Sequence, residues 1–456
     1  MFENNPSKKF LFLRSCFILS FFFVGCVTLI NEENQKIIRE MENSLKNELL
    51  NAWYPTTIDT EYGGFLSDFT YDWQPKGPQN KFLVYQARHV WTTSKAAIFF
   101  NDDNYRKIAE HGYHFLRDKM WDSRYGGFFT LRSRQGKKIQ GGYGDDKSAY
   151  GNAFAIYALA TYYAMSGDSS ALNLAQKTFI WLEQHSHDPE YKGYFDRMKQ
   201  DGSWYSKTDS KLDPRRLIGA GLKDQNSSIH LLEAFTELYR VWPDSLLRER
   251  LLEMLNLIRD TITTEKGYLI LFFERDWTPL SFRDSSQAVR EANYYFDHVS
   301  FGHDVETAYL MLEATRALGI KSDPKILTIA KKMVDHALAN GWDDETGGFY
   351  YQGYYFDNSD SVSIINEEKE WWVQDEGLNA LLLMAKLFPE EKKYYVAFEK
   401  QWAYINKYLI DHEHGGWYMD GLDKSPGKQK APKAHNWKAN YHDVRALMNC
   451  IKMLRT

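Results

Sequence analysis

Three of the 13 histidines in this chain sit where they could do chemistry together. In "KDQNSSIHLLEAF", Asn226, His230 and Glu233 fall at i, i+4 and i+7, which stacks them along one stripe of a helix. "DHVSFGHDVETAYL" places His303 and Glu306 at i, i+3, just past Gly302 at a helix start. "HNWKANYHDVRALM" sets Trp437, His442 and Arg445 ahead of the last apolar helix. Imidazoles titrate near neutrality, so a group of them suits the removal and return of a proton. The same three with Glu306 could instead hold Mn or Zn, although the tight H-x-H and H-E-x-x-H spacings are absent. Paired carboxylates, Glu306 with Asp224 or Glu376, could cut a glycosidic bond. A sugar-binding pocket without catalysis is a further possibility. His111, His114, His185, His187, His336, His412 and His414 lie in polar contexts and are read as solvated or turn residues.

A single such histidine is ordinarily a structural residue, so the argument depends on what brings three together. One turn recurs along the chain. "IDTEYGGFL" from Ile58, "WDSRYGGFF" from Trp121, "WDDETGGFY" from Trp342 and "IDHEHGGWY" from Ile410 share an acidic lead-in, glycines and an aromatic. Looser copies start at His187 and Thr263. Aligned on Gly64, Gly127, Gly193, Gly267, Gly348 and Gly416, the segments between them read helical, with apolar residues at three- and four-residue spacing. Six helical hairpins that each bury one face close into a ring, an all-α (α/α)6 barrel. The inner-helix starts then converge at one end and bring the three imidazoles to equivalent places.

Composition narrows the partners. A net charge of −5 provides no basic stripe and argues against nucleic acid. Aromatic residues at 16% suit either a ring-rich core or a sugar site, since sugar C–H faces stack on rings. Residues 1–25 read as a signal peptide, with Lys8, Lys9 and Arg14 ahead of an apolar run. "FVGC" resembles a lipobox in which Cys26 is lipidated, although Phe23 is not the usual aliphatic residue. The expected organisation is residues 26–32 as a short tether and 33–456 as one barrel domain. The protein is then exported, periplasmic or at the cell surface, and touches a membrane only through that anchor.

"NAWYPTTIDTEYGGF", "KFLVYQARHVW", "KSAYGNAF", "NSSIHLLEA", "FGHDVETAYL", "KEWWVQDE" and "WKANYH" occur in the order and spacing of the N-acylglucosamine 2-epimerase superfamily. The chain most resembles its cellobiose 2-epimerase branch, over nearly its whole length after the leader. That resemblance implies an (α/α)6 barrel and a monomer without metal or other cofactor. It implies His303 and His442 as the acid/base pair at C2, and His230 as the residue of ring opening and closure. It further implies Glu306 as the carboxylate tuning His303 and Arg88 as the arginine on the enediolate. Trp371, Trp372, Trp437, Tyr150, Asn226 and Glu376 are the implied substrate-binding residues. Two departures stand out: Asp375 where a small residue is expected, and Ser227, Ser228 and Ile229 in place of a Thr-His-Leu-type run.

The chemistry fits these residue types. Inverting C2 of an aldose needs ring opening, loss of a C–H proton beside the aldehyde, and return of a proton to the opposite face. Two groups of near-neutral pKa must flank a planar enediolate, each contributing roughly 10²–10⁴ in rate. An arginine meets the charge on O1 and O2, and a tryptophan wall orients the sugar. The expected substrate is the reducing end of a β-1,4-linked disaccharide such as cellobiose or mannobiose. Aldose–ketose isomerisation and epimerisation of mannose or an N-acylhexosamine use the same scaffold.

Overall fold

The computed structural model describes residues 32–456 apart from 141–142, 214–216, 322 and 357–358, so the expected leader and Cys26 lie outside the described residues. Its frame is a run of alternating helices: α1 (32–53), α2 (Leu83–Phe100), α3 (Asp103–Phe115), α4 (Ala149–Ser166), α5 (Ser169–His185) and α6 (Gln225–Val241). There follow α7 (Ser245–Leu257), α8 (Phe301–Ala317), α9 (Pro324–Asn340), α10 (Trp371–Leu387), α11 (Lys393–Tyr408) and α12 (Tyr441–Arg455). The even-numbered helices are buried over most of their length, whereas the odd-numbered ones bury one face. Successive even helices pack side by side and α12 returns to α2, which closes the inner ring of an (α/α)6 barrel. Four outer helices start on an aspartate: Asp102, Asp168, Asp244 and Asp323 each accept a backbone N–H of the first turn. Each such cap contributes about 0.5–2 kcal/mol.

The repeated turns are the joints between each outer helix and the next inner one. All six aligned glycines have positive φ, from +66° at Gly64 to +96° at Gly267. A side chain at Gly127 would also meet the Trp181 ring at 2.9 Å. The acidic lead-in has a specific partner, a buried lysine from the segment that leads to the following inner helix. The pairs are Asp59–Lys81 at 2.8 Å, Asp122–Lys147 at 2.9 Å, Asp188–Lys223 at 3.1 Å, Asp343–Lys369 at 2.8 Å and Asp411–Lys433 at 2.5 Å. The residue after the glycines is caught by the inner helix: Phe65, Phe128 and Phe349 donate their N–H to Gln86, Asn152 and Gln374, each at 2.8 Å. The fourth joint departs at both positions of the pair, with Thr264 for the aspartate and fully buried Val299 for the lysine. Its Leu269 N–H is taken by Asp304 at 2.9 Å.

Joints and long loops share one end of the barrel with the N-termini of the inner helices. The other end has tight connections such as 101–102 between α2 and α3. Two of the histidines read as solvated are in fact buried structural residues. His187 bonds Glu253 at 2.8 Å, and His336 bonds the Tyr355 hydroxyl at 2.8 Å. Both lie on or against outer helices whose polar sequence hides the layer beneath.

Candidate active site

A shared register explains what points into the barrel. Lys81, Lys147, Lys223, Val299, Lys369 and Lys438 stand just before the six inner helices, and seven residues on come Arg88, Phe154, His230, Glu306, Glu376 and Arg445. These six meet around the axis. The Arg88 guanidinium lies 4.6 Å over the Phe154 ring, Phe154 and His230 are 4.8 Å apart, and Arg445 reaches Glu306 and Glu376. His303 and His442 sit one helical turn nearer the open end, four residues after Val299 and Lys438. Two of the three histidines are therefore equivalent, and His230 lies a turn deeper than the expectation of three equivalent places.

Above this ring is a cavity of about 320 Å³. Its walls contain His230, His303, His442, Glu306, Arg88, Tyr150, Asn226, Trp371, Trp372 and Trp437, together with Tyr351, Glu370, Met419 and His435. It adjoins an outer chamber of about 560 Å³, with Tyr143, Asp196, Arg197, Tyr295 and His298 on its walls and Tyr150, Asn226, His303, Tyr351 and Trp437 common to both. Trp372 lies between the two equivalent histidines, 4.8 Å from the His303 ring and 5.8 Å from that of His442. Its indole N–H donates to Glu370 at 2.7 Å. Arg88 is tied into the wall, donating to the Trp437 carbonyl at 2.9 Å and the Tyr150 hydroxyl at 3.3 Å.

Each histidine is anchored through Nδ1, which leaves Nε2 free for a ligand. His303 bonds the Ser300 hydroxyl at 2.8 Å, His442 bonds Glu376 at 2.6 Å, and His230 bonds Glu233 at 2.9 Å. Two expectations, for Glu306 and Glu376, are corrected. Glu306 is not the partner of His303; its Oε1 accepts from Arg445 Nη2 at 2.5 Å, because the helix turns it toward the axis. Glu376 is not in the cavity wall but beneath it, holding His442 and Arg445. Asp375 faces away from the cavity, buried beside Asp443 between α10 and α12. Of the three departing residues on α6, Ser227 reaches the outer chamber, whereas Ser228 and Ile229 are buried outside both cavity walls.

The floor is a single guanidinium serving three carboxylates. Arg445 bonds Glu233, Glu306 and Glu376, and Tyr441 adds a hydroxyl to Glu233. Burial would raise Glu233, but Arg445 and His230 outweigh it and hold it down to about 2. Burial and the nearby Glu376 push Glu306 up to about 7, and burial raises Glu376 as well. Burial, with His230 and His298 close by, lowers His303 to about 3; burial with Arg88 and Arg445 lowers His442 well below its ordinary value. Both imidazoles are thus neutral, in the form that accepts a proton. Ligand atoms of Glu306, Glu376 and His442 lie within 4.8 Å of one another, a spacing that could hold a metal. Oε1 of each glutamate is bonded to Arg445 Nη2, so a cation using those two atoms would have to displace the guanidinium.

The sequence sets Glu233 beside His230 and Arg445 beside His442 but assigns them no role, and it does not single out Ser300, Tyr351, Glu370, Met419 or His435. The signal for Arg445 was available in the register: it stands where the other repeats have Arg88, His230, Glu306 and Glu376.

The family described as N-acylglucosamine 2-epimerase (GlcNAc 2-epimerase) matches residues 63–446. Cellobiose 2-epimerase from Bacteroides fragilis is 27% identical over 417 residues, covering 91% of this chain and 98% of that protein. D-mannose isomerase from Marinomonas mediterranea is 27% identical over 412 residues, covering 89% and 94%. The structure of cellobiose 2-epimerase from Spirochaeta thermophila superposes with a TM-score of 0.78 at 28% identity, over 93% of this chain and 98% of that one. A Bacteroides thetaiotaomicron GH76 α-mannanase, at 11% identity and a TM-score of 0.55, shares the fold alone. With that match spanning most of the barrel, the chain belongs to the N-acylglucosamine 2-epimerase family and is an enzyme of the carbohydrate epimerase and isomerase class.

Proposed function

We propose that the enzyme inverts C2 at the reducing-end aldose of a β-1,4-linked disaccharide, cellobiose or mannobiose. The observation that carries this reading is the pair of equivalent histidines, His303 on α8 and His442 on α12, each anchored at Nδ1 and flanking Trp372 in one cavity. His230, a turn deeper, assists opening and closure of the sugar ring. One of the equivalent imidazoles takes the C2 proton, giving an enediolate whose oxygens face Arg88. The other returns a proton to the opposite face, and the reverse epimer uses the pair in reverse order. Glu376 supports the role of His442 by holding its Nδ1 at 2.6 Å, which fixes the ring with Nε2 toward the cavity.

The outer chamber supports a disaccharide over a monosaccharide. It continues from the inner cavity past Trp437 and Asn226 and has room and aromatic walls for a second sugar. Aldose–ketose isomerisation is the second reading, favoured by the likeness to D-mannose isomerases and passing through the same enediolate. Residues 1–25 as an export signal, Cys26 as a lipid anchor and a monomeric state complete the proposal. The test is incubation of purified enzyme with cellobiose, mannobiose, mannose and N-acetylglucosamine, with and without EDTA. The expected product is a 2-epimer of unchanged mass from a disaccharide, with or without chelator. A ketose product would favour the second reading, split disaccharide would replace it with hydrolysis, and loss of turnover with EDTA would require a metal.

A further inference from the structure

The turn 435–438 brings a fourth histidine to the inner cavity. Its geometry is closed by the Lys438 N–H on the His435 carbonyl at 2.9 Å, and the Trp437 N–H donates to His435 Nδ1 at 3.3 Å. An Nδ1 that accepts a hydrogen bond carries no proton, so the neutral imidazole has its hydrogen on Nε2. Burial, with Lys438 and Lys76 nearby, lowers this histidine to about 4 and keeps it in that neutral form. Nε2 is buried and has no hydrogen-bond partner among the described residues, although the residue forms part of the cavity wall. Trp371 repeats the pattern: its ring stands edge-on to His435 at 6.4 Å and 88°, and its Nε1 is likewise without a partner. Buried polar groups ordinarily have partners, and a site that leaves donors open is built for a ligand that supplies acceptors.

We propose that His435 is a substrate-positioning residue whose Nε2–H, beside the Trp371 indole N–H, donates to a hydroxyl or ether oxygen of the saccharide. With Nδ1 occupied by the Trp437 N–H, both groups are donors here, so this wall selects neutral, oxygen-bearing sugar positions and rejects an ammonium group. The inference rests on the proposed saccharide chemistry and adds a contact remote from proton transfer. The loss of such a contact weakens binding rather than the chemical step.

Two variants separate this role from a merely structural one. Glutamine places its amide near the imidazole Nε2 position, whereas asparagine reproduces Nδ1 and can still accept the Trp437 N–H. H435N is expected to raise KM for the turned-over disaccharide about tenfold, the loss of one hydrogen bond, with kcat within about threefold. H435Q is expected to stay within about threefold of wild type in KM. Should H435Q lose affinity while H435N keeps it, the histidine serves to hold Trp437 and the proposal falls. Equal behaviour of the two variants, whether both weakened or both unchanged, overturns it as well. Near-ultraviolet circular dichroism confirms that each variant is folded. If the wild type turns over no aldose, the proposed function fails by itself, and the same two variants are then compared by calorimetric Kd for cellobiose.

Discussion

Two sets of buried charges lie at the same end of the barrel, and they are built on opposite principles. At five joints an aspartate meets its own lysine, and each of those carboxylates also accepts backbone N–H groups of its turn. Burial raises these carboxyls, but the partners outweigh it; Asp59 is held down to about 2, and Asp122, Asp188, Asp343 and Asp411 are lowered too. On the cavity floor Arg445 is shared among three glutamates, and two of them are raised. The saturated carboxylates stay ionised over the working pH range and fix geometry. An under-supplied cation leaves Glu306, pushed up to about 7, able to bind a proton near neutrality, the property that proton-transfer chemistry uses. The joints repeat and the floor does not.

The largest difference should come from mutation at the cavity. His303→Ala and His442→Ala are each expected to lower kcat for epimerisation by about 10³-fold or more while leaving the melting temperature near that of wild type. A variant that keeps full turnover would remove that histidine from the mechanism. The converse at a joint is Asp59→Asn, which strands Lys81 in the core. It is expected to cost about 3–5 kcal/mol in denaturant unfolding with little change in kcat of the folded enzyme. A drop in kcat comparable to that of the histidine variants would erase the distinction between the two regions.

The fourth joint permits a sharper test. Val299→Lys alone buries an unpaired charge and should destabilise strongly, whereas Thr264→Asp with Val299→Lys restores the pair used elsewhere and should recover most of the loss. Additive effects in that double-mutant cycle would show that the pairs are not local units. The smallest expected effect is in pH dependence. Glu306 keeps a proton in the folded state up to about 7, while the unfolded carboxyl releases it near 4.5. The folded form binds more protons in that window, so stability falls as pH rises from about 4.5 to 7. Glu306→Gln should flatten that slope, and an unchanged slope would place the proton elsewhere.

The sequence disclosed what repeats and much of what faces the cavity. Gly64 and its counterparts mark the joints because few residues other than glycine accept that backbone, and the alternation of helix and turn then implies the ring. The lysine partners were hidden because Lys81 and Lys223 look like surface residues until their aspartates are brought beside them. Ten of the residues named from sequence do line one cavity. Glu306 and Glu376 were placed in the right helices with the wrong partners, since the contact of Arg445 with both spans 139 and 69 residues. Ser300 is an ordinary helix-start serine in the sequence, and only folding shows that its hydroxyl is on His303.

Central to the account is exchange of a carbon-bound proton at C2 by His303 and His442. The direct measurement is NMR of cellobiose incubated with the enzyme in D₂O, following the C2–H and anomeric signals. Loss of the C2–H signal as deuterium enters is expected, together with anomeric signals of the 2-epimer, and no 2-epimer signals in the His303→Ala or His442→Ala variant. Epimer formation with C2–H fully retained, or the absence of exchange on any aldose tested, would contradict it.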